Sequence, residues 1–196
     1  MMMDAVSEQT VWDVIGLYLK LGYQHILPLG LDHILFVLAL FFASSRLKPL
    51  VWQISAFTLA HTLTLGLATL GLITLSSGIV EPLIALSIVF VAVENLVFRD
   101  MQRWRPLVVF GFGLFHGLGF AGVLHELGLP QDQLLPSLLS FNIGVEAGQL
   151  TIILLLWFAL HRFREASWYP LLAKGVSALI AVVALWWVVE RVFLAG

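Results

Sequence analysis

The sequence contains no cysteine. That absence excludes disulfides, thiolate metal centres and cysteine nucleophiles. Charge is scarce as well: Asp, Glu, Lys and Arg make up 11% of 196 residues, against about a quarter in ordinary globular chains. There is no basic tract and the formal net charge is −2, so nucleic acid is not an expected partner. Methionine is confined to positions 1–3 and 101, which removes the thioether ligands that copper(I) handling would want. What fills the chain is apolar side chain, 60% of residues, with a mean hydropathy of +0.99. So little polar material cannot cover a water-facing surface. The composition predicts an all-α integral membrane protein with the lipid bilayer as its surroundings.

The first twenty residues carry Asp4, Glu8 and Asp13 in place of a basic n-region, so no cleavable signal peptide is expected. Val11 to Leu21 (VWDVIGLYLKL) mixes apolar and charged residues and reads as an amphipathic helix lying at the membrane interface. Residues 1–26 are therefore expected to form an interfacial segment ahead of a six-helix transmembrane bundle over 27–196. The spans are expected at about 27–45, 51–75, 81–98, 106–125, 134–160 and 170–193, separated by short breaks rich in Pro, Gly or charge. Eight of the ten basic residues fall in or near the first, third and fifth breaks: Arg46, Lys48, Arg99, Arg103, Arg105, Arg162, Arg164 and Lys174. Lys20 and Arg191 are left on the other side. By the positive-inside rule those three breaks face the cytoplasm and both termini are extracytoplasmic, in a bacterial-type inner (plasma) membrane.

Ionisable groups inside spans are unfavourable there and usually face a bundle interior or a water-filled cavity. Here they are Asp32 and His33 in the first span, His61 in the second, Glu94 in the third, His116 in the fourth and Glu146 in the fifth. His25 precedes Asp32 by seven residues, a spacing of two helical turns, although Pro28 and Gly30 can bend the path. Asn142, Glu146 and Gln149 fall at i, i+4 and i+7 and make one polar stripe expected to point inward. Interhelical hydrogen bonding accounts for Asn142 and Gln149 as well as ligand contact does. Ser87 stands seven residues before Glu94. By depth, His61, His116 and Glu146 share the mid-membrane layer, Asp32 and His33 lie in the outer half, and Glu94 lies nearer the cytoplasmic end. Gly113 and Gly117 bracket His116 in GxxxG spacing, and Gly144 and Gly148 flank Glu146, so helices should approach closely at those levels. A weak internal echo sets Phe57-x-Leu59-x-His61-x-Leu63 beside Phe112-x-Leu114-x-His116-x-Leu118, each followed by a helix with a Val-Glu pair. This is the pattern of a parallel repeat.

Imidazole and carboxylate without thiol form a nitrogen–oxygen ligand set, suited to a divalent transition metal such as Ni(II) or Zn(II). The segment His25-Ile-Leu-Pro-Leu-Gly-Leu-Asp32-His33, the Phe115-His116-Gly117 triplet and the six-span layout resemble the HupE/UreJ family, over roughly residues 25–190 and closest to its HupE/UreJ-2 branch. The resemblance implies a nickel permease or accessory membrane protein, with His25, Asp32, His33 and His116 as metal-pathway residues. Two departures stand out. Six residues separate His25 from Asp32 where the family pattern has five, and Val123 occupies a position where that pattern has Glu.

Two mechanisms are compatible with these residues. In a permease, a metal ion passes His25 and Asp32, pauses at His33, His61, His116 and Glu146, and leaves by Glu94, with Ser87, Asn142 and Gln149 in support. A bundle this small points to a homo-oligomer. In a membrane-embedded zinc hydrolase opening to the extracytoplasmic side, the same His residues hold a metal with one position open to water, and Glu146 or Asp32 acts as general base. A weaker third reading makes His61 and His116 axial haem ligands.

Overall fold

The computed structural model describes residues 10–44, 46–98, 102–126 and 131–194, and the side chains of all of these except 121–126 and 131. Asp4, Glu8, Arg99 and the Val123 side chain therefore lie outside the described residues. Among the described residues there are seven α-helices and no strand: α1 (Val11–Ile26), α2 (Leu31–Ala43), α3 (Leu47–Thr69), α4 (Ser77–Val97), α5 (Arg105–Glu126), α6 (Leu134–Leu160) and α7 (Tyr169–Val189). The last continues into a π-helical turn, Glu190–Leu194. Helices α3, α4, α6 and α7 are long and apolar enough to cross a membrane, and α1 with α2, bent by 67° between them, makes a fifth candidate. Helix α5 counts as a shorter apolar helix over Arg105–Phe120.

The N-terminal helix starts at a capping box. The Thr10 hydroxyl accepts from the Asp13 amide at 3.3 Å, and the Asp13 carboxylate accepts from the Thr10 amide at 3.1 Å. Val14, Tyr18, Gly22 and Ile26 follow at four-residue intervals and are buried, one stripe of a helical surface. That stripe packs along α6, where a side chain at Gly22 would run into the Phe141 carbonyl and one at Gly144 into the Leu19 carbonyl. The sequence reading set this segment apart from the bundle; over its described part it is packed into it, backbone against backbone.

The expected first span over 27–45 also differs. Pro28 brings no N–H to continue α1, and Gly30 sits against the His25 carbonyl where a Cβ would not fit. The chain breaks there and restarts as α2, whose 13 residues reach about 20 Å, short of a hydrocarbon core of about 30 Å. Only α1 and α2 together have the length. Helix α3 ends at Thr69 and not at 75, because the chain turns at Gly71, whose φ of +72° suits glycine and few other residues.

A second close pair is α3 with α5. Gly113 lies on Phe57 and Gly117 on His61 and Thr64, so both numbers rise together and the two helices run parallel. Thr64 Oγ1 donates to the Leu114 carbonyl at 2.8 Å across this contact. The two members of the sequence echo are thus direct neighbours in space. Phe36, Leu40, Ile54, Phe57, Ile88 and Phe141 are fully buried between the pairs. Helix α7 packs on α4 from outside, burying only Ser177, Ile180 and Ala184.

Candidate metal centre

The break between α1 and α2 has a chemical consequence. It brings His25, in the last turn of α1, onto His33, in the first turn of α2, with ring centroids 4.7 Å apart and edge to face. His61, midway along α3, lies 6.2 Å from His25 and 6.0 Å from His33 by ring centroids. One ring nitrogen from each of these three residues lies within 4.8 Å of the other two. A tetrahedral ion with metal–nitrogen bonds of about 2.0–2.1 Å holds its ligand atoms about 3.4 Å apart. Movements of about 1 Å at the ring tips would therefore close the set around one ion. His116, midway along α5, adds a fourth ring with its centroid 4.9 Å from that of His33.

The surroundings are apolar. His61 is 0%, His116 1% and His33 5% exposed, and Phe36, Phe57, Phe120 and Phe141 stand against the rings. In such a medium a polar atom without a partner is destabilising by about 1–3 kcal/mol. Four occur together: Nε2 of His25, His33 and His61, and Nδ1 of His116. The second nitrogens of the two deepest rings are engaged, His61 Nδ1 by Asn142 Oδ1 at 2.9 Å and His116 Nε2 by Ser87 Oγ at 3.0 Å.

The carboxylates expected at this centre are elsewhere. Asp32 follows α2 round by one residue from His33, which turns it about 100° away. Both its oxygens accept from Arg191, at 3.1 and 3.0 Å, and the same guanidinium reaches Glu81 Oε2 at 3.3 Å. Glu94 lies seven residues from Ser87, about 10 Å further along α4, and is buried in an ion pair. Its Oε2 accepts from Arg105 Nε at 2.8 Å and Nη2 at 2.6 Å. Glu146 accepts from Ser55 at 2.6 Å and Gln149 from Thr58 at 3.3 Å. The α6 stripe of Asn142, Glu146 and Gln149 thus points inward as expected, but its partners line α3. Of the sequence candidates, then, three imidazoles converge with a fourth beside them, and three carboxylates do not. The haem reading fails on space, since His33 and Phe57 each lie against both His61 and His116 and fill the gap a porphyrin would need.

A sequence profile described as HupE / UreJ protein matches residues 2–191. The chain belongs to the HupE/UreJ family. Comparison with curated proteins and with solved structures gives no significant match. In this HupE/UreJ chain the His25–Asp32–His33 segment supplies two of the three converging rings. Sequence reading missed Arg105 and Arg191 as partners of Glu94 and Asp32. It counted Arg105 only as a break charge and Arg191 only in the charge balance between the two sides, although each lies at the end of the bundle where its carboxylate was expected.

Proposed function

We propose that this HupE/UreJ protein carries a divalent late first-row metal ion, Ni(II) or Zn(II), across the bilayer, with His25, His33 and His61 as the central stopping point and His116 beside them. The observation that carries this reading is the set of four buried ring nitrogens without partners, three of the rings converging, inside a bundle of apolar helices four of which are long enough to cross a membrane. Imidazole nitrogens suit nickel and zinc and leave Mg(II) and Ca(II), which want oxygen, poorly served. The family points to nickel.

Charge favours transit over storage. The three carboxylates near enough to be expected at the ion are each held by another group. A dication among neutral ligands in an apolar interior keeps its charge uncompensated, and conduction needs binding weak enough for release. The same commitments weigh against a hydrolase, which needs a free carboxylate beside a metal-held water. Asp32 faces Arg191 and Glu146 faces Ser55 instead. With 22 residues, α5 reaches about 33 Å, enough for a sixth crossing. The distribution of Lys and Arg then favours both termini outside an inner membrane, and a bundle of this size would work as a homo-oligomer.

The test is metal accumulation in cells expressing the protein, with His33→Ala, His61→Ala and His116→Ala compared with wild type at matched membrane levels. Loss of Ni(II) or Zn(II) uptake in all three is expected. Uptake that survives His33→Ala and His61→Ala would end the permease reading.

A further inference from the structure

We propose that Asn142 and Ser87 are positioning residues that fix opposite tautomers on His61 and His116, so that each ring offers its unpartnered nitrogen to the cation as a lone pair. This rests on the metal-carrier reading above and concerns how the rings are prepared for the ion. The argument is one of proton accounting. The Asn142 side-chain amide donates from Nδ2 to the Leu138 carbonyl at 2.8 Å. That bond fixes the amide's orientation, so the atom facing His61 Nδ1 is the oxygen, 2.9 Å away. An amide oxygen can only accept. His61 Nδ1 must therefore carry the proton, and a neutral imidazole with its proton on Nδ1 has its lone pair on Nε2, the buried nitrogen that lacks a partner.

Ser87 applies the same logic with one hydroxyl proton. Its Oγ donates to the Ile84 carbonyl at 2.6 Å, which uses that proton. Toward His116 Nε2, 3.0 Å away, Oγ has only lone pairs left. His116 Nε2 is then the N–H, and the lone pair sits on Nδ1, again buried and without a partner. Asn142 is 4% and Ser87 0% exposed, so water does not compete for either bond. Ring orientation set by a hydrogen bond to the far nitrogen is how protein sites prepare imidazole for a metal, and loss of such a partner typically lowers affinity 10- to 100-fold. Here the far nitrogen is Nδ1 on one ring and Nε2 on the other. A buried lone pair without a partner rejects an anion or a neutral acceptor and accepts a Lewis acid.

Two readouts on the full-length protein in detergent test this. The first uses ¹⁵N-histidine-labelled, metal-free protein and long-range ¹H–¹⁵N NMR, which separates the two tautomers by nitrogen shift. Protons on His61 Nδ1 and His116 Nε2 are expected, with Asn142→Leu and Ser87→Ala each releasing its own ring to a mixture. The second is Co(II) titration, followed by the d–d absorption of the bound ion. Asn142→Leu and Ser87→Ala should each weaken binding 10- to 100-fold, while Asn142→Asp and Ser87→Thr, which keep the acceptor oxygen, should restore it. The restoring pair also separates positioning from failure to fold. Tautomers opposite to those expected, or Co(II) affinity unchanged in Asn142→Leu and Ser87→Ala, would overturn the proposal and leave the metal reading intact. Wild-type protein that shows the expected tautomers yet binds no Co(II), Ni(II) or Zn(II) would overturn the metal reading, and the role toward a cation with it.

Discussion

The Glu94–Arg105 pair offers the sharpest test of the packing. Each side chain is 3% exposed, and two hydrogen bonds of 2.8 and 2.6 Å join them. Arg105 Nη2 also donates to Asn95 Oδ1 at 3.0 Å, and Asn95 in turn donates to the Ala39 carbonyl at 2.8 Å and to Ser177 at 3.3 Å. One guanidinium thus ties α5 to α4 and, through Asn95, to α2 and α7. Removing one partner of a buried ion pair leaves an uncompensated charge and is destabilising by about 3–5 kcal/mol. Arg105→Met should lie at the upper end, because it also leaves the Asn95 oxygen without its donor, a further loss of about 1 kcal/mol. Glu94→Gln keeps volume and an acceptor and should lie at the lower end. The double variant Glu94→Leu/Arg105→Met replaces the pair by apolar groups of similar size and should return to within about 1–2 kcal/mol of wild type. The assay is unfolding of the detergent-solubilised protein in mixed micelles of rising SDS fraction, followed by the fluorescence of its seven tryptophans. Glu94→Gln and Arg105→Met unfolding at the wild-type SDS fraction would refute the reasoning. The double variant also decides the transport role of Glu94, since a stable protein with intact uptake would take Glu94 off the ion's path.

Other perturbations separate the site from its frame. Gly117→Ala places a methyl group against the His61 carbonyl and Thr64 Oγ1, so α3 and α5 must part. The same unfolding assay should show a loss of about 1–3 kcal/mol, with Co(II) binding weakened as His61 moves. Arg191→Gln frees Asp32 and Glu81, but the Arg191–Asp32 pair is 19% and 24% exposed, so stability should change by no more than about 1 kcal/mol. Asp32→Asn should leave Co(II) affinity in detergent within about twofold of wild type, because its carboxylate faces Arg191 and a twofold change is about 0.4 kcal/mol.

The residue types that belong to this fold and site could be read from the sequence, because apolar runs, glycine spacing and intramembrane histidines each obey a local rule. Helix α6 runs over 134–160, as its apolar run indicates. Gly113 and Gly117 do place a close crossing beside His116, and the polar stripe of α6 does face its neighbours. What could not be read was the partnering of charges. Asp32 and His33 are adjacent in sequence, and only the angular step of a helix decides that one turns to Arg191 and the other to the imidazoles. The break at Pro28 and Gly30 was visible, yet its effect depends on tertiary contact. Bending α1 back along α6 made a packed helix of what composition alone suggests is an interfacial one.

The sequence echo accounts for the asymmetry of the centre. The Phe-x-Leu-x-His-x-Leu segments repeat at an offset of 55 residues, His61 answering His116. The helices that carry them pack at an offset of 56, Gly113 on Phe57 and Gly117 on His61. That slip of one residue is about 100° of helix rotation. The His61 backbone therefore lies on the contact line between α3 and α5, and its side chain turns to α6 and Asn142. His116 lies one residue off that line and turns to α4 and Ser87. Two rings equivalent in sequence thus meet different neighbours, an amide oxygen on one side and a spent hydroxyl on the other, and those neighbours accept from different ring nitrogens. A repeat packed in strict register would present like faces of both rings along one seam. The slip leaves both rings near His33, at 6.0 and 4.9 Å by centroids, but with different partners on their far nitrogens.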